Sequence, residues 1–362
     1  MIKVLVVDDS ALVRKLFSRV LAEDSDFEIQ VARDGVEALA QLDAFGPDVI
    51  TLDVHMPRMD GLQCLDRIMV QRPCPVVMVS TVTAEGAEAT LEALRLGAVD
   101  FVPKPTGAVS LQMQEFGPAL KEKVRTAAAA RLSASHRLRE RVQFRIGAVA
   151  ATPRAKPGAA THDEEVVPRS GGGLVLVGTS TGGPPALEAL LAPLPPTFSW
   201  PILVAQHMPA GFTGPLARRL GGLCKLTVLE VAQPIPLEEG CVYIGRGDAD
   251  LVVSRRPSGL VAMTVPANSD YRWHPSADRL VRSAMQYVPA TQLVGVLMTG
   301  MGDDGAESLT SLRAEGGATI AEAEETAAVW GMPGALVRAG GASHVLPLSN
   351  IAQRLQRLIP CR

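Results

Sequence analysis

Ser180, His207 and Asp304 combine a hydroxyl, an imidazole and a carboxylate, the groups of a nucleophile, a proton acceptor and an orienting acid. Each follows an apolar run of strand length. Ser180 lies in Gly178-Thr179-Ser180-Thr181-Gly182-Gly183-Pro184, between the run at 174–178 and a helical pattern of Ala186, Leu187, Leu190 and Leu191. Glycine permits a tight turn there, and proline is tolerated in the first turn of a helix. The segment reads as a Ser/Thr helix cap, a phosphate cradle or a nucleophile turn. It lacks the P-loop lysine and does not fit Gly-x-Gly-x-x-Gly, whereas Gly178-x-Ser180-x-Gly182 matches Gly-x-Ser-x-Gly. His207 follows the run 202–206. Asp304 lies in Thr299-Gly300-Met301-Gly302-Asp303-Asp304-Gly305, where either aspartate is also suited to cap the next helix. In the nucleophile reading Ser180 attacks a carbonyl, His207 takes its proton and Asp304 fixes the imidazole tautomer. Backbone N–H groups near Thr181 and Met301 would receive the oxyanion.

A second constellation precedes it. Asp8 and Asp9 end the run 2–7, Asp53 follows 49–52, Ser80 ends 76–80, and Lys104 follows Phe101-Val102. Carboxylates so close repel one another, and a hard oxygen-seeking cation such as Mg²⁺ relieves that. Asp53 is then suited to attack a phosphoryl donor, with Lys104 neutralising the added charge and the Ser80 hydroxyl meeting a phosphate oxygen.

The elements that must position these groups are short strands alternating with helices. Ser10 can cap a helix over 11–22, with Leu12, Leu16, Val20 and Leu21 at helical spacing. Further strands are expected at 227–231, 241–245, 260–265 and 293–299. Such alternation predicts an α/β protein of two doubly wound parallel-sheet domains with ligands at the carboxyl ends of the strands. Residues 1–107 form the first domain, 108–171 a basic and partly helical linker, and 172–358 the second. Residues 121–156 hold ten Lys/Arg against two Glu, which reads as a solvated tether. A hydrophobic fraction of 47% with 20% charged residues excludes global disorder, and a net charge of −3 argues against a polyanion binder. The five cysteines form no Cys-x-x-Cys pair, so neither a disulfide framework nor a zinc site is suggested. No apolar run is long enough to insert in a membrane, and the N-terminus meets acid too soon for export, so a cytoplasmic protein is expected.

The first half resembles the receiver domain of two-component response regulators. The resemblance rests on Val6-Val7-Asp8-Asp9-Ser10, on the segment from Leu52-Asp53-Val54-His55-Met56-Pro57 to Asp60-Gly61, and on Lys104-Pro105 after Gly97-Ala98. It implies a flavodoxin-like fold and Asp53 as phosphoacceptor from a histidine kinase. Asp8, Asp9 and Asp53 would surround Mg²⁺ with the His55 carbonyl, and Ser80 and Lys104 would be the switch pair. The second half, about 172–358, resembles the catalytic domain of chemotaxis-specific protein-glutamate methylesterases. Gly178 to Pro184, Gln206-His207-Met208-Pro209, Met298 to Ala306 and Gly331-Met332-Pro333 carry the likeness. It implies an α/β serine-hydrolase domain with Ser180, His207 and Asp304 as catalytic residues and the Met301 amide at the oxyanion, needing no cofactor. Its substrates would be glutamyl methyl esters, and glutamines, on chemoreceptors (methyl-accepting chemotaxis proteins). The sequence departs from that family at Trp273 and His274, where His and Arg are usual, and at 243–250, which lacks the usual Ala-Pro-Gly. A non-catalytic regulator at receptors is the alternative from another class. A DNA-binding regulator is disfavoured because no terminal helix-turn-helix follows the receiver.

Overall fold

Apolar runs buried at every position set the architecture. In the computed structural model, which describes residues 1–104, 109–132 and 172–359, such runs become the central strands of two parallel sheets. The first unit comprises β1 (Ile2–Val7), α1 (Ala11–Ala22), β2 (Phe27–Ala32), α2 (Gly35–Phe45), β3 (Val49–Asp53), α3 (Gly61–Gln71), β4 (Val76–Ser80), α4 (Ala84–Leu96), β5 (Asp100–Pro103) and α5 (Val109–Ala128). Its strand order is β2-β1-β3-β4-β5. The reversal of order at β1 and β3 opens a crevice at the strand ends where Asp8, Asp9 and Asp53 stand. Ser10 caps α1 through the Val13 amide, as expected. The buried face of that helix is Phe17, Val20 and Leu21, which leaves Leu12 67% exposed.

The second unit begins with β6 (Leu174–Thr179), α6 (Gly183–Leu191), β7 (Ile202–Gln206), α7 (Ala210–Leu223), β8 (Thr227–Val231), β9 (Ile235–Pro236) and β10 (Cys241–Gly245). It continues with β11 (Ala249–Arg256), β12 (Gly259–Pro266), α8 (Ala277–Met285), β13 (Leu293–Leu297), α9 (Ala306–Ala314), β14 (Ala318–Glu322), α10 (Met332–Arg338), β15 (His344–Leu346) and α11 (Leu348–Leu358). Seven strands run in the order β15-β14-β13-β6-β7-β10-β8, and β11, β12 and β9 form a small antiparallel sheet. Because β6 lies between β7 and β13, the ends of these three strands meet at the reversal of strand order.

The structure moves one boundary. The segment 108–171 is expected to be a partly helical linker; its helix, α5, starts at 109 and buries Leu120, Val124 and Ala127 against the first sheet, residues spaced along one helical face. Its basic residues look inward as well as outward. Lys121 pairs with Glu23 and Asp24, Arg125 with Asp24 and Asp26, and Lys123 with Asp100. The remainder of the expected tether, 133–171, lies outside the described residues.

The two units touch broadly. α4 packs on α7, Phe101 lies 4.4 Å from Phe212 between ring centroids, and one buried apolar cluster runs through both units. Arg219 of α7 bridges Glu188 and Glu92 of α4. Replacing Leu120 by Ala removes a fully buried side chain from the α5 contact and is expected to cost about 2–5 kcal/mol. Hydrogen exchange checks the placement of α5: β1 to β5 should exchange faster in Leu120→Ala, while β6, β7 and β13 keep their protection.

Candidate active site

Parallel pairing carries Ser180 and His207 to one level. Thr179 is the register partner of Gln206, so the next residue on each strand leaves the sheet side by side. The ladder continues as single hydrogen bonds: the His207 amide donates to Thr179 O at 3.0 Å, and the Ser180 amide to Thr299 O at 3.0 Å. The Ser180 carbonyl accepts from Gly183 N at 2.8 Å and from the Gln206 side-chain amide at 3.0 Å. This turn demands its glycines. Gly182 has φ +76°, and a Cβ on Gly183 would stand 2.0 Å from Gln206 Oε1.

The chain leaving β13 crosses over Ser180 and ends at the imidazole. A Cβ on Gly300 would lie 2.8 Å from that of Ser180, so the crossing is as close as backbone allows. Beyond it, Asp304 Oδ2 accepts from His207 Nε2 at 2.8 Å and from Ala277 N at 2.6 Å. Asp304 Oδ1 accepts from the Ser276 hydroxyl at 2.8 Å and from Asp278 N at 3.1 Å. Burial pushes the Asp304 carboxyl up, but the His207 ring and the two amides outweigh it and hold the group below the usual carboxylate range. His207 Nδ1 is buried and has no hydrogen-bond partner among the described residues. Nε2 is thus committed to the acid, and Nδ1 makes no hydrogen bond to Ser180 in this structure.

Of the two expected capping aspartates, Asp304 is 4% exposed and serves the histidine instead. The Thr181 and Met301 amides, expected at the oxyanion, make no hydrogen bond to another described residue. Their side chains meet the first unit. Thr181 Oγ1 donates to Asp100 Oδ2 at 2.5 Å, and the Thr126 hydroxyl of α5 touches the Met301 sulfur.

Sequence reasoning left three supporting groups without a role. Asp250, fully buried, accepts from the Ser276 amide at 2.8 Å and pairs with His274 and Arg279, which fixes the start of α8 beneath Asp304. Asp250 and His274 stand in the two stretches that depart from the methylesterase pattern, so those departures meet at one hydrogen bond. Trp273 lies parallel to the His207 ring at 5.7 Å between centroids. Glu322 ends β14, the strand-end position that singled out the other acids, and accepts from Thr299 N at 2.8 Å and Thr326 Oγ1 at 3.0 Å.

The first unit gathers its own residues at its strand ends. Lys104 Nζ lies 2.7 Å from Asp53 Oδ2 and 3.1 Å from Asp8 Oδ2. Burial and the Asp8 charge raise Asp53 above the usual range in spite of Lys104. Carboxylate oxygens of Asp8, Asp9 and Asp53 all fall within 4.8 Å of one another, a hard all-oxygen set that fits Mg²⁺. Ser80 is on the same edge but turned away, its hydroxyl donating to Gly86 O of α4 at 3.0 Å.

A family model described as CheB methylesterase matches residues 175–355, and one described as response regulator receiver domain matches 4–114. The chain belongs to the CheB methylesterase family. It is 56% identical to protein-glutamate methylesterase/protein-glutamine glutaminase 2 of Rhodopseudomonas palustris (strain BisB18), across 97% of this chain and 96% of that one. It is 50% identical to a methylesterase/glutaminase of Rhodospirillum rubrum across 98% and 95%. The crystal structure of the CheB methylesterase catalytic domain of Thermotoga maritima matches with a TM-score of 0.50 and 35% identity, over 52% of this chain and all of that domain. These relatives confirm the two-domain α/β reading and the receiver-plus-methylesterase order of this CheB family member.

Glu322 offers a pH test of the network behind Ser180. Burial pushes its carboxyl up to about 7, against the Thr299 amide and the Thr326 hydroxyl. A carboxyl with a raised folded-state pKa stabilises the fold below its unfolded value near 4.5 and loses that contribution as pH rises through about 7. Glutamine mimics the neutral acid, with its oxygen on Thr299 N and its amide donating to Thr326 Oγ1. Urea unfolding at pH 8 should find Glu322→Gln more stable than wild type by on the order of 3 kcal/mol. The gap should close by about pH 5.

Proposed function

We propose that this chain is a phosphorylation-controlled serine hydrolase of the cytoplasm. In this reading it demethylates glutamyl methyl esters on chemoreceptors and deamidates glutamines there. One observation carries the reading: a buried Asp304 with four donors holds His207 by Nε2, leaving Nδ1 unpartnered at the level of Ser180. Ser180 Oγ attacks the ester carbonyl as His207 Nδ1 takes the hydroxyl proton. The Thr181 and Met301 amides receive the oxyanion, and Asp304 stabilises the imidazolium. Collapse of the tetrahedral intermediate expels methoxide, which takes the proton from His207 and leaves as methanol. Water then attacks the acyl-enzyme with His207 as base, which frees a glutamate and restores Ser180. A glutamine follows the same route with ammonia as the leaving group.

The receiver is the control element. Asp53 accepts a phosphoryl group from a histidine kinase, with Asp8, Asp9 and Asp53 as residues for Mg²⁺. The ion would supply neutralising charge for the phosphoryl oxygens. Lys104 and Ser80 meet the new phosphate. Asp100 on Thr181 and Thr126 on Met301 keep the unphosphorylated receiver over both oxyanion residues, and phosphorylation weakens that contact. Among the described residues no helix is long and apolar enough to cross a membrane, which suits an enzyme that reaches receptors without inserting.

Methanol release from methylated receptor membranes tests the proposal. Wild type should be stimulated by acetyl phosphate, Asp53→Asn should lose that stimulation, and Asp100→Ala should raise the unstimulated rate. Ser180→Ala should fall by about 10³-fold or more. Undiminished methanol release by Ser180→Ala would leave a binding regulator as the better reading.

A further inference from the structure

Trp273 stands outside the triad but touches it. Its ring lies parallel to the His207 imidazole, 1° between planes, with centroids 5.7 Å apart. The indole also packs on the turn that presents Met301. A Cβ on Gly302 would stand 2.5 Å from Trp273, and Gly302 has φ +85°, so both the conformation and the space require glycine there. Arg272 holds its guanidinium carbon 5.0 Å from the indole centroid and pairs with Glu122 of α5 at 2.7 Å.

We infer that Trp273 is a positioning residue for the general base. This rests on the reading of His207 as the proton acceptor and adds what holds its ring in plane. A single hydrogen bond at Nε2 fixes one atom of the imidazole and leaves the ring free to turn about that contact. The parallel indole removes that freedom and so fixes the plane in which Nδ1 lies. It covers one face of the ring from water, and its π-face favours the imidazolium formed when Ser180 gives up its proton. The same indole walls an open groove of about 720 Å³ whose lining includes Asp278, Asp303 and Asp304. The charged groups facing the stack are Asp304 at Nε2 and Arg272 at the indole, with Glu122 behind Arg272.

The test uses the full chain with acetyl phosphate and methylated receptor membranes. Trp273→Leu should lower kcat about tenfold with KM changed by less than about twofold, because a cation–π and stacking contact is lost from the transition state. Trp273→Phe, which keeps a flat ring, should recover most of kcat. A reading independent of either variant's folding comes from wild-type fluorescence. The imidazole stacked on the indole should quench Trp273 emission in the wild type, and His207→Gln should relieve that quenching while Trp200 and Trp330 continue to emit. Equal kcat in all three proteins, equal loss in Leu and Phe variants, a change confined to KM, or no His207-dependent quenching overturns the inference. A Ser180→Ala protein as active as wild type would instead overturn the hydrolase reading on which it rests.

Discussion

A buried carboxylate survives only when its charge is answered, and Asp304 is answered by four donors. Two are backbone amides at the start of α8, where free N–H groups and the helix dipole favour an anion. A third is the hydroxyl of Ser276, which caps the same helix. The fourth is the imidazole. Protein groups therefore hold the Asp304 carboxyl below the usual carboxylate range and commit Nε2 of His207 to it. Asp250, beneath the helix start, is itself sealed by His274, Arg279 and the Ser276 amide, so two carboxylates in series hold one ring.

The receiver applies the same edge logic twice on one strand. β5 begins at Asp100, which meets Thr181 beside the nucleophile, and is followed by Lys104, which meets Asp53. Three residues of extended chain lie between them, a span of roughly 13 Å. Phe101 between them packs on Phe212 of the second unit. In the proposed mechanism a phosphoryl group drawing on Lys104 would act on one end of a strand whose other end is fastened to the turn that carries Ser180. In the proposed mechanism Ser80 adds a second route: its hydroxyl is held on Gly86 at the start of α4, the helix that packs on α7, and would have to leave it to reach a phosphate.

Legibility followed the physics of parallel sheets. Strands buried on both faces read as unbroken apolar runs, and the groups that matter stand where such runs stop. Asp8, Asp53, Lys104, Ser180 and His207 were all visible by that rule. Asp100 was hidden because it starts a strand. Glu322 was hidden because the run before it, Ala-Thr-Ile-Ala, is short and alanine-rich. The edge strand β2 escaped because it is buried only at its two ends. α5 was misplaced in the tether because a basic helix looks solvated until the acids at 23–26 and Asp100 that pair with it are known. The Trp273–His207 stack joins two loops with no periodicity between them, so nothing along the chain announces it.

One loop explains why the three proposed catalytic groups occur in the order Ser, His, Asp. With β6 between β7 and β13, the acid must come from the far side of the nucleophile and reach the histidine by passing over Ser180. That passage puts Gly300 against the Ser180 Cβ and carries the Met301 amide past the serine before Asp304 meets the ring. Bringing in the acid and building the proposed oxyanion site are consequently a single act of chain routing. A side chain at Gly300 would disturb both, because the crossing loop has no slack. It is anchored by Thr299 to Glu322 on one side and by Asp304 to α8 on the other. The glycines at 300 and 302 are the conformational cost of that route, and Trp273 fills the space the second one leaves.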